Sequence, residues 1–180
     1  YDPPAGTVLP AETHALETHF APANPSTWAD TQASTEIVVL PAPLTITAHD
    51  RAKTYGETVV FTGDDLATTG LVGNDTVDAV QLTSEGAAPA ANVAGSPYPV
   101  IPAEATGDGL ANYDITYVPG SLTVAPAALL CTAGDKAKVA GSTNPPLTIH
   151  YVGLQNAESA PQVPPAIDCV ADETSLPGNY

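Results

Sequence analysis

Few residues of this sequence have side chains and spacings that could do chemistry. The two cysteines, Cys131 and Cys169, are too few for a zinc motif, and they lack a Cys-x-x-Cys pair or a histidine at ligand spacing. A single structural disulfide is the natural alternative, and it would imply an oxidising compartment. The four histidines lack a Gly-x-Ser-x-Gly elbow and a cysteine partner. The sequence therefore predicts that this protein is not an enzyme.

Acidic residues cluster in two turns, where they could bind calcium. The first turn contains Asp64 and Asp65, and the second contains Asn74, Asp75 and Asp78. If the two turns meet, they would supply several of the about six to eight oxygen ligands that Ca²⁺ takes. The alternative is that these carboxylates are solvated, since no EF-hand or nonapeptide calcium pattern accompanies them. Calcium is thus a candidate cofactor, and the sequence predicts no other.

The single tryptophan, Trp28, lies in the turn-rich stretch Pro25–Asp30. A solvent-facing indole there could stack on a sugar, which makes Trp28 a candidate ligand-binding residue. The alternative is that the ring covers the end of a hydrophobic core, as large aromatic side chains usually do.

Charge and hydropathy exclude several partners. The chain has 20 acidic residues against 4 Lys and Arg, for a net charge of −16. Such a field repels phosphate backbones and anionic lipid, so we expect no nucleic-acid partner. No apolar run reaches the about 18 residues that a membrane helix needs, so we expect no membrane insertion in this segment. All four cations (Arg51, Lys53, Lys136 and Lys138) have i, i+2 spacing, which predicts either a solvated strand face or a cationic stripe against an acidic neighbour.

The elements that must position these residues are predicted to be short strands. Alternating apolar residues separated by Pro- and Gly-rich turns are typical of β-domains. The predicted strands cover residues 13–20, 35–40, 43–49, 57–63, 78–84, 97–101 and 113–124. Pro119-Gly120 would form a type II turn or a bend in the last strand. One brief helix-like turn is expected near residues 64–66 or 71–77.

The sequence repeats itself. Residues 43–56 return as 128–141 with seven of fourteen positions identical, namely Leu, Thr, Ala, Asp, Ala, Lys and Gly. A period of this size indicates one small domain per repeat in a tandem array. We therefore divide the chain into residues 1–42, a complete unit at 43–125 and an incomplete unit at 126–180.

Alignment of the third unit on the second places the cysteines at apolar strand positions. Cys131 matches Ile46 and Cys169 matches Leu82, so both cysteines are expected to face the core. This pairing predicts a Cys131–Cys169 disulfide, with two buried free thiols as the alternative.

Three motifs resemble the MBG repeats of large bacterial surface proteins. They are Leu-Thr-Ile-Thr-Ala-x-Asp-x-x-Lys-x-Tyr-Gly at 44–56, Gly-Leu-Val-Gly-Asn-Asp-Thr at 70–76 and Asn-Tyr-Asp-Ile-Thr-Tyr-Val-Pro-Gly-Ser-Leu-Thr-Val at 112–124. The resemblance covers residues 43–180, and residues 1–42 resemble the C-terminal part of a bacterial Ig-like repeat. It implies a mainly β fold of tandem small domains, either Ig-like sandwiches or β-grasp-like units, in an extended array.

The resemblance also implies a function. We expect a non-enzymatic structural or adhesive segment of an extracellular, cell-surface protein, whose partners are other copies or neighbouring repeats. Two alternatives stay open. The chain could be a filament subunit whose incomplete units are completed by neighbouring chains, or an adhesin module that binds a surface glycan or a protein.

Overall fold

The computed structural model describes residues 2–179, so Tyr1 and Tyr180 lie outside the described part of the chain. Regular structure in this range consists of β-strands and short 3₁₀ turns. The strands are β1 (Thr13–Phe20), β2 (Thr31–Val38), β3 (Ala42–Ala48), β4 (Arg51–Thr54), β5 (Leu66–Thr69), β6 (Ala79–Thr83), β7 (Tyr98–Thr106), β8 (Tyr113–Val118), β9 (Gly120–Ala125), β10 (Leu130–Ala133) and β11 (Ile149–Val152). The 3₁₀ turns are Gly63–Asp65, Glu85–Ala87, Val93–Gly95 and Leu110–Asn112. The prediction of a mainly β chain is confirmed.

The chain divides into two compact units that interleave along the sequence. The first comprises the chain up to Arg51, then Phe61–Ser84 and Pro99–Ser121. The second comprises Ala52–Val60, Glu85–Tyr98 and the chain from Leu122 onward. The domain boundaries at 42/43 and 125/126 stay predictions.

The first unit begins with a two-stranded ribbon. β1 pairs antiparallel with β2, with Thr13 opposite Val38 and Phe20 opposite Thr31. Every residue of β2 is exposed. The predicted strand at 13–20 is confirmed, whereas the second strand begins four residues before the predicted 35–40.

A three-stranded sheet in the order β5-β3-β8 carries the core of the first unit. β3 lies in the middle, antiparallel to β5 and parallel to β8. Alternate side chains of β3 point inward, so Leu44 and Ile46 are fully buried, and Tyr113 of β8 packs with them. Their burial follows directly from the period-two apolar pattern of this strand.

A second sheet has four strands in the order β4-β9-β7-β6. The predicted long strand at 113–124 is broken at Pro119, where the chain leaves the first sheet as β8 and enters the second as β9. Gly120 does not adopt the positive φ that a type II turn requires, so the bend is the correct alternative. The predicted strand at 57–63 is wrong, because that segment is irregular and the strands on either side of it are β4 and β5.

In the second unit, β10 and β11 form a separate antiparallel pair. Leu130 lies opposite Val152 and Ala133 lies opposite Ile149. Residues 2–179 contain two extended sheets around residues 42–125 and no α-helix. The choice between the Ig-like and the β-grasp-like arrangement stays a prediction.

Candidate functional site at the joint between repeats

Lys53 of β4 is a buried cation. The residue is 6% exposed, and its Nζ donates to the carbonyl oxygen of Glu57 at 2.9 Å and to that of Ala88. Burial lowers the pKa of the Lys53 ammonium, and the Glu57 charge opposes this effect. The predicted solvated strand face is therefore wrong at Lys53. Its ammonium donates hydrogen bonds to two backbone carbonyls in loops, and one of these carbonyls is 35 residues away in sequence.

Arg51 has an acidic neighbour, as the second alternative for the cations predicted. Its guanidinium donates to Asp65 Oδ1, and the other Asp65 oxygen accepts from the backbone N–H of Thr62 at 2.8 Å. The Thr62 N–H lowers the pKa of the Asp65 carboxyl most, and the Arg51 guanidinium lowers it further. Because Asp65 is 4% exposed, this ion pair is a structural element of the turn.

Asp75 is held by a tyrosine from another motif. Tyr113 Oη donates to Asp75 Oδ2 at 2.8 Å and accepts from the backbone N–H of Val72 at 2.7 Å. Burial raises the pKa of Tyr113, and the Asp75 carboxylate raises it further. These bonds tie the motif at 70–76 to the motif at 112–124.

Asp50 makes a comparable tie between the first and third motifs. Its Oδ1 accepts from both the hydroxyl and the backbone N–H of Ser121, each at 2.8 Å, and the two bonds lower the pKa of the Asp50 carboxyl. The conspicuous acids of the motifs therefore serve as hydrogen-bond acceptors within the repeat.

The structure does not gather the calcium candidates into a site. Asp65 faces Arg51 and Asp75 faces Tyr113, while Asp64 and Asp78 are exposed. Across residues 2–179, no group of three or more His, Cys, Asp or Glu side chains is placed to hold a metal ion.

The third repeat, residues 126–179, contains the same antiparallel strand pair as the second. The register of β10 with β11 matches that of β3 with β5, with Leu130 in the place of Thr45 and Val152 in the place of Thr69. The residue after each second strand is a glycine whose backbone approaches a carbonyl oxygen near the start of the first strand. A Cβ at Gly70 would lie 2.2 Å from the Pro43 oxygen, and one at Gly153 would lie 2.4 Å from the Ala128 oxygen. Both glycines have positive φ, +113° and +108°.

The contact of Lys53 with a distant backbone carbonyl, which we call the lysine clip, also recurs in the third repeat. Lys138 Nζ donates to the carbonyl oxygen of Asp172 at 2.5 Å, as Lys53 Nζ does to that of Ala88. Nearby, Asn144 Nδ2 donates to the Ala171 oxygen at 2.7 Å. Ala171 is the only buried residue among residues 126–179. Sequence comparison did not find this part of the repeat, because the acceptors are backbone carbonyls with no residue preference.

Tyr55 and Gly56 join the second repeat to the third. Tyr55 Oη donates to Glu158 Oε1 at 2.8 Å, and Asn156 Nδ2 donates to the Pro89 oxygen at 3.1 Å. Gln155 packs on the bare backbone of Gly56, where a Cβ would lie 2.4 Å from its Oε1 atom. All of these residues belong to the second compact unit. We call this set of contacts the joint.

The loop that enters the joint has an unusual backbone. Asn156 and Ala157 have φ of 51° and 59°, in the left-handed region. Asparagine tolerates this region, but an alanine there is uncommon and is strained by about 1–2 kcal/mol. In the third repeat, Ala140 replaces the tyrosine, and Gly141 has no atom within 4 Å of a Cβ built on it. Among residues 2–179, the contacts of a Tyr-Gly pair are therefore made by the second repeat and have no counterpart in the third.

The two cysteines are free in the structure, so the predicted disulfide is not confirmed. Cys131 is exposed on β10, although its counterpart Ile46 is fully buried. The match of Cys169 to Leu82 stays a prediction.

Trp28 lies in the turn between β1 and β2, and it is 65% exposed. Its backbone N–H donates to the Asn24 oxygen at 3.3 Å, and the Asn24 side chain accepts from the backbone and hydroxyl of Ser26. The interpretation that the ring covers a core is therefore wrong, and the ring faces solvent at the tip of the ribbon.

Two copies of one antiparallel strand pair, each with a close glycine approach and a lysine contact to a distant carbonyl, define this molecule as a tandem β-repeat protein. Residues 44–123 match the family model described as "MBG domain (YGX type)". The match is consistent with the predicted resemblance of this part of the chain to the MBG repeats of bacterial surface proteins. The only Tyr-Gly pair in the sequence, Tyr55-Gly56, lies within the match and at the joint. Searches of curated proteins and of solved structures found no significant match. None of the helical turns in residues 2–179 has the length and hydropathy to cross a membrane.

Proposed function

We propose that this chain is a non-enzymatic spacer segment of an extracellular bacterial surface protein, which projects or assembles at the cell surface. Its partners are neighbouring repeats and other copies of the protein. The MBG domain at 44–123 supports the surface-protein class. The acidic ties within the repeat support a structural role, because the carboxylates that could do chemistry already accept hydrogen bonds from protein groups.

The joint is the observation that carries the proposal. A flexible tether would leave successive repeats without specific contacts, whereas Tyr55 and Gly56 meet a shaped loop of the next repeat. A spacer transmits position and load only if its repeats are fixed to one another. The joint supplies this property through two hydrogen bonds and one backbone contact.

Surface location is tested by protease treatment of intact cells of the source organism. We expect peptides of this chain to be released while a cytoplasmic marker stays intact. Release only after lysis would contradict the proposal.

The joint is tested by Tyr55→Phe in the full chain, with amide exchange read by mass spectrometry. Loss of the hydroxyl should raise exchange in residues 153–158 about 3- to 10-fold, the range for a bond of about 1 kcal/mol. Glu158→Ala should do the same, whereas Glu158→Gln keeps the acceptor and should have a smaller effect. Tyr98→Phe is the matched control, since Tyr98 Oη donates to the Asn92 oxygen away from the joint. Equal amide exchange in all four variants would show that the contacts of the joint do not stabilise residues 153–158.

A second candidate function is supported by Trp28. An indole that is 65% exposed at a ribbon tip is suited to stack on a sugar ring or on a partner's apolar side chain. Because Trp28 is the only tryptophan, its fluorescence reports on this site alone. Titration with a panel of oligosaccharides should shift or quench the emission saturably, and Trp28→Ala should abolish binding. An emission spectrum unchanged across the panel would remove the glycan-binding alternative.

A further inference from the structure

The chain enters the complete repeat through one strand and leaves it through two others. β3 begins at Ala42, directly after residues 1–41, and β8 continues through Pro119 into β9, which ends at Ala125. Tension that passes along the chain therefore pulls β3 from its N-terminal end and β8 from its C-terminal end. The pairing of β3 with β8 decides how the repeat responds to this tension.

β3 and β8 are neighbours in one sheet, and they are parallel. Six register pairs join them, from Ala42 opposite Tyr113 to Thr47 opposite Val118, and we call these pairs the β3–β8 ladder. Parallel strands that are pulled from opposite ends must slide past each other. Because the force then runs along the strands, it loads the evenly spaced hydrogen bonds of the ladder together.

The other edge of β3 has the contrasting geometry. β3 is antiparallel to β5, so Thr45 near the start of β3 lies opposite Thr69 at the end of β5. A force applied to these two adjacent ends would open the pair one hydrogen bond after another. The same central strand therefore has a strong and a weak direction of pulling.

Side chains hold the β3–β8 ladder in register at both ends. At its first pair, Tyr113 Oη donates to Asp75 Oδ2 at 2.8 Å. Just beyond its last pair, Asp50 Oδ1 accepts from the backbone N–H and the hydroxyl of Ser121, each at 2.8 Å. All of these residues belong to the first compact unit. The inward side chains of β3 between the two ties are buried, which limits the access of water to this face of the ladder.

We propose that the β3–β8 ladder is a mechanical clamp, which keeps the complete repeat folded under tension along the chain. The inference rests on the proposed function, because a spacer that projects from a cell is a molecule through which tension passes. Forced unfolding is governed by the unfolding rate rather than by the free energy of unfolding. The resistance of the clamp therefore depends on the direction of pulling, even where the equilibrium stability is the same.

The test applies force to single molecules of the full chain in optical tweezers. Cys131→Ser and Cys169→Ser remove the native thiols, and two introduced cysteines carry the DNA handles. Pro41→Cys with Pro119→Cys loads the ladder in shear, whereas Pro41→Cys with Thr69→Cys opens the β3–β5 pair from one end. All three attachment residues are exposed in the native chain.

We expect the shear attachment to yield at about three to six times the force of the opening attachment at the same loading rate, because six register pairs share the load. The released length identifies each event. Full extension gives about 260–280 Å of chain between positions 41 and 119, but about 90–100 Å between positions 41 and 69. Urea denaturation of both variants without force is the control, and equal free energies of unfolding would assign the difference in force to direction alone.

A third attachment, Pro41→Cys with Ala125→Cys, follows the natural path of tension. It replaces the shear attachment if Pro119→Cys lowers the free energy of unfolding. Equal forces in the shear and opening attachments would overturn the proposal. Failure of the protease test on intact cells would remove the source of tension but leave these forces unchanged, so the two failures are distinguishable.

Discussion

Gly70→Ala should destabilise the complete repeat strongly, because two separate costs add at this position. Gly70 has a φ of +113°, where a residue with a Cβ is strained by about 1–3 kcal/mol. The added Cβ would also lie 2.2 Å from the backbone oxygen of Pro43, which cannot rotate away as a side chain could. Relief of this contact requires distortion of the backbone on which Leu44 is seated, and a large bond-angle distortion costs about 4 kcal/mol. We therefore expect a loss of about 3–5 kcal/mol in the free energy of unfolding.

Two glycines separate the causes of this loss. Gly73 has a φ of +65° and no atom within 4 Å of a built Cβ, so Gly73→Ala isolates the backbone strain, at about 1–2 kcal/mol. Gly63 has neither positive φ nor a close neighbour, so Gly63→Ala should change stability by no more than about 0.5 kcal/mol.

The assay is urea denaturation followed by far-ultraviolet circular dichroism, with amide exchange to locate the effect. Gly70→Ala should raise exchange in β3, β5 and β8. Gly153→Ala should raise it in β10 and β11, since Gly153 approaches the Ala128 oxygen in the same way. If Gly70→Ala lowers the free energy of unfolding no more than Gly73→Ala does, the close approach of Gly70 to the Pro43 oxygen does not contribute to stability. That result would refute the prediction.

Three further predictions concern side chains whose roles the structure defines. Asp65→Asn should cost about 1.5–3 kcal/mol at neutral pH, as expected for a hydrogen bond to a charged group. Because the folded pKa of Asp65 is lowered, its contribution is present above the ordinary value of 3.8 and disappears as pH falls through the folded value. The gap between wild type and this variant should therefore close in acid, and a gap independent of pH would refute the assignment. Lys53→Met should cost about 1–3 kcal/mol, because it removes the ammonium donor from the Glu57 carbonyl and leaves the Ala88 carbonyl with the Ala91 N–H alone, while Lys138→Met, whose ammonium makes one such bond, should cost less in the same urea titration. Alkylation of the native chain without reductant should add two groups, at exposed Cys131 before half-buried Cys169, and mass spectrometry that finds none would restore the disulfide.

Some of these features were predictable because they are local in sequence. The alternation of apolar residues in β3 determines which side chains are buried, and the repeated motif predicts that a second hairpin follows. The same motif, together with those at 70–76 and 112–124, is sufficient to indicate the family. Such signals depend on the period of a strand and on neighbours a few residues away.

The calcium candidates and the cation face show where local signals end. A pair of acids in a turn has the same sequence signature whether it is solvated, bound to a metal or paired with protein groups. In the folded chain Asp65 is paired with Arg51, and Asp75 accepts a hydrogen bond from Tyr113. These partners come from other parts of the sequence.

The sequence by itself determined that this is an acidic, β-rich tandem repeat with an MBG domain, because composition and repetition need no knowledge of contacts. Tertiary structure alone decided that Lys53 is buried and that the Tyr-Gly pair forms the joint. The reason is distance along the chain. Lys53 meets an acceptor 35 residues away, and Tyr55 meets Glu158 at a separation of 103 residues. A backbone carbonyl at such a distance has no residue type by which sequence could reveal it.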